Sequence, residues 1–301
     1  MLACMKKLLV LGGPTASGKT ALAIALAKEL GTVILSADSR QCYREMTIGT
    51  AVPTKEELAQ VPHYFIQTHS IHDTVNAGTF ETYAMQVLEQ AFQTHDVVVC
   101  TGGTGLYIQA LLNGFDPMPE TPEAVKTKAQ HDCETHGLRW LQEQVAHFDP
   151  VLFKRIDQQN TARLLRAYSF YLAHQKPLSS FQHQSKKVRP FESALFCLMP
   201  EKEILHQRIH LRVYKMMQAG LWQEAERLYP YRHLNALQTV GYSELFDVMD
   251  GNISLTEAIE QIKTHTRQYA KRQITWFKHQ TNAQFLPPEV ALHDILISFN
   301  K

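Results

Sequence analysis

Leu8-Leu9-Val10-Leu11-Gly12-Gly13-Pro14-Thr15-Ala16-Ser17-Gly18-Lys19-Thr20 is the stretch that decides the fold. A short apolar run leads into a match to G-x-x-x-x-G-K-[ST]. The match opens a helix-forming stretch, residues 21–30, which Gly31 stops. Strand, glycine loop and helix in register give this motif its meaning. The glycines let the backbone curl until successive N–H groups point inward at phosphate oxygens, and the positive end of the helix dipole faces the same point. Lys19 would neutralise terminal phosphate charge, and the Thr20 hydroxyl would face a phosphate oxygen or Mg2+. The segment Gly13, Pro14, Thr15, Ala16, Ser17, Gly18, Lys19 and Thr20 thus reads as a polyphosphate loop. It says neither which polyphosphate nor what becomes of it.

Three further apolar runs, at 33–37, 97–100 and 194–198, join 8–11 as candidate buried parallel strands. Each is short and non-alternating, as strands covered on both faces are. Helical patterns at 21–30 and 79–92 separate them, which argues for a doubly wound α/β sheet. Ligands of such sheets sit beyond the carboxyl ends of the strands. Three of those ends carry chemistry: the phosphate loop, then Ser36-Ala37-Asp38-Ser39-Arg40-Gln41, then Thr101-Gly102-Gly103-Thr104-Gly105.

Residues 116–189 break the alternation. Pro117, Pro119 and Pro122 open the segment, and helical patterns follow at 123–136, 137–147 and 161–174. The expected architecture is a P-loop NTPase-like parallel core, 1–115 with 190–301, carrying a helical insertion domain at 116–189. Between Gln158 and Arg189 lie Arg163, Arg166, Lys176, Lys186, Lys187 and Arg189 with no acidic residue. A run of this length without a carboxylate is a candidate phosphate-backbone contact. A helix at 203–219 has Arg208, Arg212 and Lys215 on one face and Leu205, Ile209 and Met216 on the other. In a last helix, 255–279, Lys263, Arg267, Lys271 and Lys278 share a sector of ~80°. Ile262, Tyr269, Trp276 and Phe277 share the next one.

Composition bounds the rest. The 301 residues are 45% hydrophobic and 20% charged, with a net charge of +1, so the chain reads as globular and any nucleic-acid footprint must be local. Five scattered cysteines (Cys4, Cys42, Cys100, Cys133, Cys197) and fifteen dispersed histidines show neither zinc spacing nor a disulfide framework. No apolar run approaches the ~20 residues of a membrane span, and the run after Lys7 ends at the loop glycines. The expectation is a soluble cytoplasmic protein.

A phosphate loop that transfers phosphoryl groups usually has a strand-end Asp to hold Mg2+. The natural strand here, 97–100, ends in Thr101-Gly102-Gly103, and Asp96 precedes it at the other end of the sheet. Asp38 is the one carboxylate at a candidate strand's carboxyl end. Either that one aspartate serves both as metal ligand and as base, or the reaction is not ordinary phosphoryl transfer. The departure is a first hint that the polyphosphate is a leaving group and not a donor.

The chain resembles the bacterial tRNA dimethylallyltransferase (isopentenyl-tRNA transferase) family. The resemblance is carried by residues 13–20, by Ser-Ala-Asp-Ser-Arg-Gln-Cys-Tyr-Arg (36–44) and by Ile-Gly-Thr-Ala (48–51). Further on it is carried by Ala-Gly-Thr-Phe (77–80), Gly-Gly-Thr-Gly-Leu-Tyr (102–107), Val-Gly-Tyr (240–242) and Thr-Arg-Gln-Tyr-Ala-Lys-Arg-Gln-Ile-Thr-Trp-Phe (266–277). Cys42 departs from the valine expected there. The resemblance implies transfer of the dimethylallyl group of dimethylallyl diphosphate to N6 of the adenosine 3′-adjacent to the anticodon, in tRNAs reading codons that begin with U. Diphosphate would leave, with Mg2+ assisting.

On that resemblance the loop and Arg212 would bind diphosphate, Asp38 would be the general base, and Thr20 and Arg212 would assist the departing group. Thr20 would also be the Mg2+ ligand. tRNA contacts are implied at Asp38, Ser39, Arg40, Gln41, Thr104 and Lys126. Others are implied at Gln159, Asn160, Thr161, Ala162, Arg163 and Arg166, at Gln238, Thr239, Val240, Gly241, Tyr242 and Ser243, and at Lys271 and Arg272. The partner would be the tRNA anticodon stem-loop, and the protein a monomer off the membrane. The target base would flip from its stack, with Trp276 and Phe277 as candidate platforms, although their helical phase favours core packing. Two other readings share the loop: an adenylate dimethylallyltransferase, which would not need the acid-free stretches, and an ATP-dependent P-loop kinase, which would need the missing aspartate. A nucleotide-gated RNA-binding switch would use Asp38 only as a metal ligand.

Overall fold

The computed structural model describes residues 5–116, 118–182, 186–289 and 292–300; Cys4 and Pro117 lie outside them. Strand β1 (Lys7–Gly12) runs into the phosphate loop and α1 (Lys19–Glu29). β2 (Ile34–Ser36) leads through a long loop and the one-turn α2 (Lys55–Leu58) to β3 (His63–Tyr64). α3 (Ala77–Ala91), capped at both Gly78 and Thr79 N–H by the Asn76 side chain, returns to β4 (Val97–Thr101) and α4 (Gly105–Asn113). Three helices follow: α5 (Glu123–Phe148), α6 (Pro150–Arg155) and α7 (Thr161–His174). The chain closes with β5 (Glu192–Leu198), α8 (Lys202–Gln218), α9 (Leu221–Leu228), α10 (Tyr242–Met249), α11 (Leu255–Gln280), β6 (Gln284–Leu286) and α12 (Leu292–Asn300).

The six strands form one parallel sheet in the order β3-β2-β4-β1-β5-β6. All four expected strands are present. The two edge strands, of two and three residues, carry no apolar run and left no periodic signal. β1 lies at the centre, with Leu8, Leu9, Val10 and Leu11 wholly buried between β4 and β5. Because every strand points the same way, the ends of β2, β4 and β1 meet side by side at one edge. Asp96 sits at the opposite edge, paired with Lys6 at 2.7 Å.

The chain divides into two compact units. One is Asn113–Lys187 and the other is formed by the chain on either side of it. The smaller unit has its own core, in which Leu141, Val145, Leu164, Ala167 and Phe170 pack between α5 and α7. Gly137, at φ 82°, breaks α5 into the two expected helices, a backbone geometry that glycine adopts without the Cβ penalty. In α8 the fully buried residues are Leu205, Ile209 and Val213, whereas Met216 is only half-buried and lines the cleft described below. Arg189 corrects the reading of the basic run. Its guanidinium is nearly buried, 2.9 Å from Glu81 and 2.6 Å from the Ala110 carbonyl, so it braces the core instead of facing a nucleic acid.

Candidate functional site

The phosphate loop curls through two glycines with positive φ, Gly13 (143°) and Gly18 (95°), and through Ala16, held at φ 61°. A Cβ at Gly13 would lie 2.8 Å from the Leu198 carbonyl, so β5 and the loop touch backbone to backbone. Gly18 takes the N-cap position of α1. With no side chain capping that end and no acid in the first turn, the helix start is left for an anion. Ser17 is wholly buried, and Lys19 Nζ is held by the Pro14 carbonyl at 2.6 Å and Ser17 Oγ at 3.4 Å.

Two cationic side chains of α8 reach the loop. Arg212 Nη1 donates to Thr15 Oγ1 at 3.0 Å, and Arg208 Nη1 donates to the Ser17 carbonyl at 3.3 Å. Burial, and then the charge of Arg212, lower the Lys19 pKa from its usual 10.5 to about 8, partly offset by Asp38. Burial also lowers the Arg212 pKa. Two cations held close in a desolvated loop leave positive charge in search of an anion. The loop, Asp38, Gln41, Gly102, Gly103, Arg212 and Tyr269 enclose a cavity of about 540 Å³.

A second cavity of about 340 Å³ adjoins it, lined by Asp38, Ser39, Arg40, the run Gln238, Thr239, Val240 and Gly241, and Tyr269 and Arg272. Thr15, Arg212, Asp38, Thr50 and Tyr269 border both spaces. Asp38 forms an Asx turn, with Oδ1 accepting from Arg40 N–H at 2.9 Å and Gln41 N–H at 3.2 Å. The turn fixes the carboxylate at the junction. Thr104 Oγ1 accepts from Ser39 N–H at 3.0 Å, tying the β2 and β4 loops together. Burial, then Asp38, push the Tyr269 phenol up to about 12, and Arg272 lies over its ring at 5.8 Å.

Several sequence candidates take other places. Tyr242 is fully buried; its hydroxyl donates to Glu224 at 2.6 Å and its ring packs where a Cβ at Gly49 would be. It therefore supports the loop and cannot present a face to RNA. Ser243 caps its turn through Thr239 O at 3.2 Å. Thr15 lends the cavity its position, not its amide, because its N–H is taken by Gln273 at 2.8 Å. Phe277 is wholly buried against Gly12, where an added Cβ would sit 2.5 Å from the ring, and Trp276 packs on Gly105. The helical phase was the better guide for Phe277. Lys271 and Arg272 are exposed on α11.

In the smaller unit, Asn160 caps α7 by accepting from Arg163 N–H at 3.1 Å, and Gln159 N–H donates to Asp157 at 3.0 Å. Ala162, Arg163 and Arg166 are exposed and Thr161 half-buried on that first turn and a half, and exposed Lys126 pairs with Glu123 at 2.9 Å.

Two buried polar groups escaped sequence reasoning. Glu224, on α9, accepts from the N–H groups of Thr47, Ile48 and Gly49 at 2.9–3.2 Å as well as from Tyr242. Burying an unpaired carboxylate would cost several kcal/mol, and these four donors offset it. Gln273 is buried midway along a helix whose neighbouring residues are basic and exposed. Only Ile48-Gly49, marked as a motif, hinted that a loop there needed a partner.

Parallel sheet, glycine loop and anion-ready cleft together define a P-loop α/β protein. The model of the family described as IPP transferase matches residues 41–280, a span that leaves out the phosphate loop and so is independent of it. A tRNA dimethylallyltransferase of Flavobacterium johnsoniae is 44% identical over 298 residues, covering 97% of this chain and 96% of that protein. One from Christiangramia forsetii is 46% identical, covering 88% of each. A solved tRNA delta(2)-isopentenylpyrophosphate transferase of Staphylococcus epidermidis superposes with a TM-score of 0.70 at 37% identity, covering 98% of both chains. A eukaryotic dimethylallyltransferase acting on tRNA gives 0.76 at 25% identity, covering 94% of this chain and 74% of that one. The chain belongs to the IPP transferase family. Among the described residues no helix is long and apolar enough to cross a membrane.

Proposed function

We propose that this protein transfers the dimethylallyl group of dimethylallyl diphosphate to N6 of the adenosine 3′-adjacent to the anticodon in tRNAs reading codons that begin with U, and releases diphosphate. One observation carries the reading: Asp38 borders both the phosphate-loop cavity and the neighbouring one. The first cavity would hold the diphosphate on the amides at the start of α1, Lys19, Thr20 and Arg212. The second would take the flipped base, which a duplex or stacked loop must release to react. As the allylic C–O bond breaks, its electron pair stays on the diphosphate oxygen, and the surrounding cations stabilise the growing charge. The N6–C bond forms from the other side, and the N6 proton passes to Asp38, an amine of low basicity needing such a base.

Mg2+ suits this cavity in one form. Among the described residues no cluster of three His, Cys, Asp or Glu could hold a metal by itself. A cation that keeps its waters and rides on substrate phosphates needs only one or two protein ligands. The Thr20 hydroxyl, which lines the cavity, would be that ligand, and the ion would neutralise diphosphate charge. Exposed Lys271 and Arg272, with Arg40 and the 238–241 turn, are proposed to hold the tRNA backbone and anticodon loop. In the smaller unit, Lys126, Arg163 and Arg166 are separate candidates for backbone contact.

Incubation with radiolabelled dimethylallyl diphosphate and either unmodified tRNA or AMP, without ATP, tests the proposal. Label in tRNA alone is expected. Label in AMP would favour the free-nucleotide enzyme, and a requirement for ATP the kinase.

The Lys19 pKa makes a pH prediction. Lys19 must be charged to hold a diphosphate, and in the free protein it loses its proton as pH rises through about 8. An alkyl phosphate loses its last proton around pH 6, so the ligand is largely deprotonated throughout that window. Affinity for an alkyl diphosphate, followed by calorimetry, is therefore expected to be flat from pH 7 to pH 8 and to fall by about tenfold per unit above it. Lys19→Arg, which keeps its charge, should lose the falling limb; a limb that persists would remove Lys19 from it.

A further inference from the structure

We infer that Gln273 is a positioning residue that fastens the phosphate loop to the glycine loop after β4 and, through Thr15, aims Arg212 into the cleft. The inference rests on the reading above that this cleft holds a diphosphate. The Gln273 carboxamide uses both ends: Oε1 accepts from Thr15 N–H at 2.8 Å, and Nε2 donates to the Gly103 carbonyl at 2.9 Å. Thr15 N–H can only donate and Gly103 O can only accept, so one orientation of the amide satisfies both. A carboxylate of the same length lacks the donor, and a thioether lacks both strong groups. The approach is close: a Cβ at Gly103 would fall 2.1 Å from Nε2, so glycine is the residue that admits this contact.

Thr15 passes the constraint on. With its N–H engaged by Gln273, its hydroxyl accepts from Arg212 Nη1 at 3.0 Å. Gly103, Gln273, Thr15 and Arg212 thus form one chain of hydrogen bonds joining four segments of the chain: the loop after β4, α11, the phosphate loop and α8. In a desolvated site such a chain fixes where the guanidinium sits before any anion arrives. Positioning of this kind acts on the diphosphate and not on the tRNA, which gives it a signature distinct from simple stabilisation.

The experiment measures binding of inorganic pyrophosphate with Mg2+ by calorimetry at pH 7, well below the melting temperature. It compares the wild type, Gln273→Met, Gln273→Glu and Thr15→Val. Thr15→Val keeps the N–H that Gln273 grips and removes the hydroxyl that receives Arg212. Each variant is expected to bind pyrophosphate at least tenfold more weakly, and Gln273→Met, at a position that does not line the second cavity, to leave the tRNA dissociation constant within twofold. The double variant Gln273→Met with Thr15→Val should be no weaker than about the worse single one, because both break one chain. A Gln273→Met protein that melts earlier yet binds pyrophosphate as wild type does would overturn the inference, leaving a packing role. Since Gln273→Met can fail to fold, unchanged affinity in Thr15→Val overturns it as well. Wild-type protein that binds no pyrophosphate would overturn both this inference and the reading of the cleft. Pyrophosphate binding without label transfer to tRNA would overturn the transferase reading alone.

Discussion

Asp38→Asn is expected to lower single-turnover prenyl transfer to tRNA by about 10²–10⁴-fold while leaving tRNA affinity within a few-fold of wild type. The amide keeps an acceptor at Oδ1 for the Arg40 and Gln41 N–H groups, so the turn that shapes the loop survives. What is lost is the capacity to take a proton from an amine of low basicity. Asp38→Ala loses both, so its defect should be at least as large, with some loss of thermal stability from the two unpaired amides. Comparing the pair separates base from turn. Transfer by the Asn variant within tenfold of wild type would sink the general-base role, whatever the Ala variant does.

Arg212→Ala should cost about 10²–10³-fold in kcat/KM for the allylic diphosphate, the scale seen when a preorganised donor to a developing oxyanion is removed. Its guanidinium is largely buried and held on Thr15, so it is already aimed and desolvated. Arg212→Lys should recover only part of the loss, because an ammonium is a point charge without the planar fork that grips two oxygens. Removing Arg212 has a second expected effect. Its charge is one of the causes that hold Lys19 near 8, so in the Ala variant the pH limb of diphosphate binding should move to higher pH. An unmoved limb would show that the two cations do not share one anion site. Transfer kinetics and the calorimetric pH series read these outcomes separately.

The core was legible because its signals are local. An apolar run, a glycine loop and a helix follow one another within 24 residues, and glycines at 31, 137 and 220 end or break helices where the sequence says they should. The chemistry-bearing strand ends were visible too, since Asp38 and Gly102-Gly103 directly follow apolar runs. The edge strands β3 and β6 were not: two or three residues carry no periodicity, and neighbours in the sheet create them. Tyr242 looked like a surface contact because a Val-Gly-Tyr turn reads the same whether its ring points out or in. Glu224, 175 residues from Gly49 by way of nothing periodic, is what draws it inward together with the 47–49 amides.

The sequence by itself determined that a phosphate loop follows a central strand, that a carboxylate stands at the end of another, and that a helical segment interrupts the core. All of these are properties of neighbouring residues. Tertiary structure alone decided that the ends of β2, β4 and β1 lie side by side, and that α8 brings Arg212 to a loop 197 residues away. It also decided that α11 buries one glutamine between two glycine loops instead of another apolar side chain. The reason is physical. Strand order and helix docking are set by which surfaces exclude water together, and a buried amide is tolerated only where donor and acceptor from distant segments meet it.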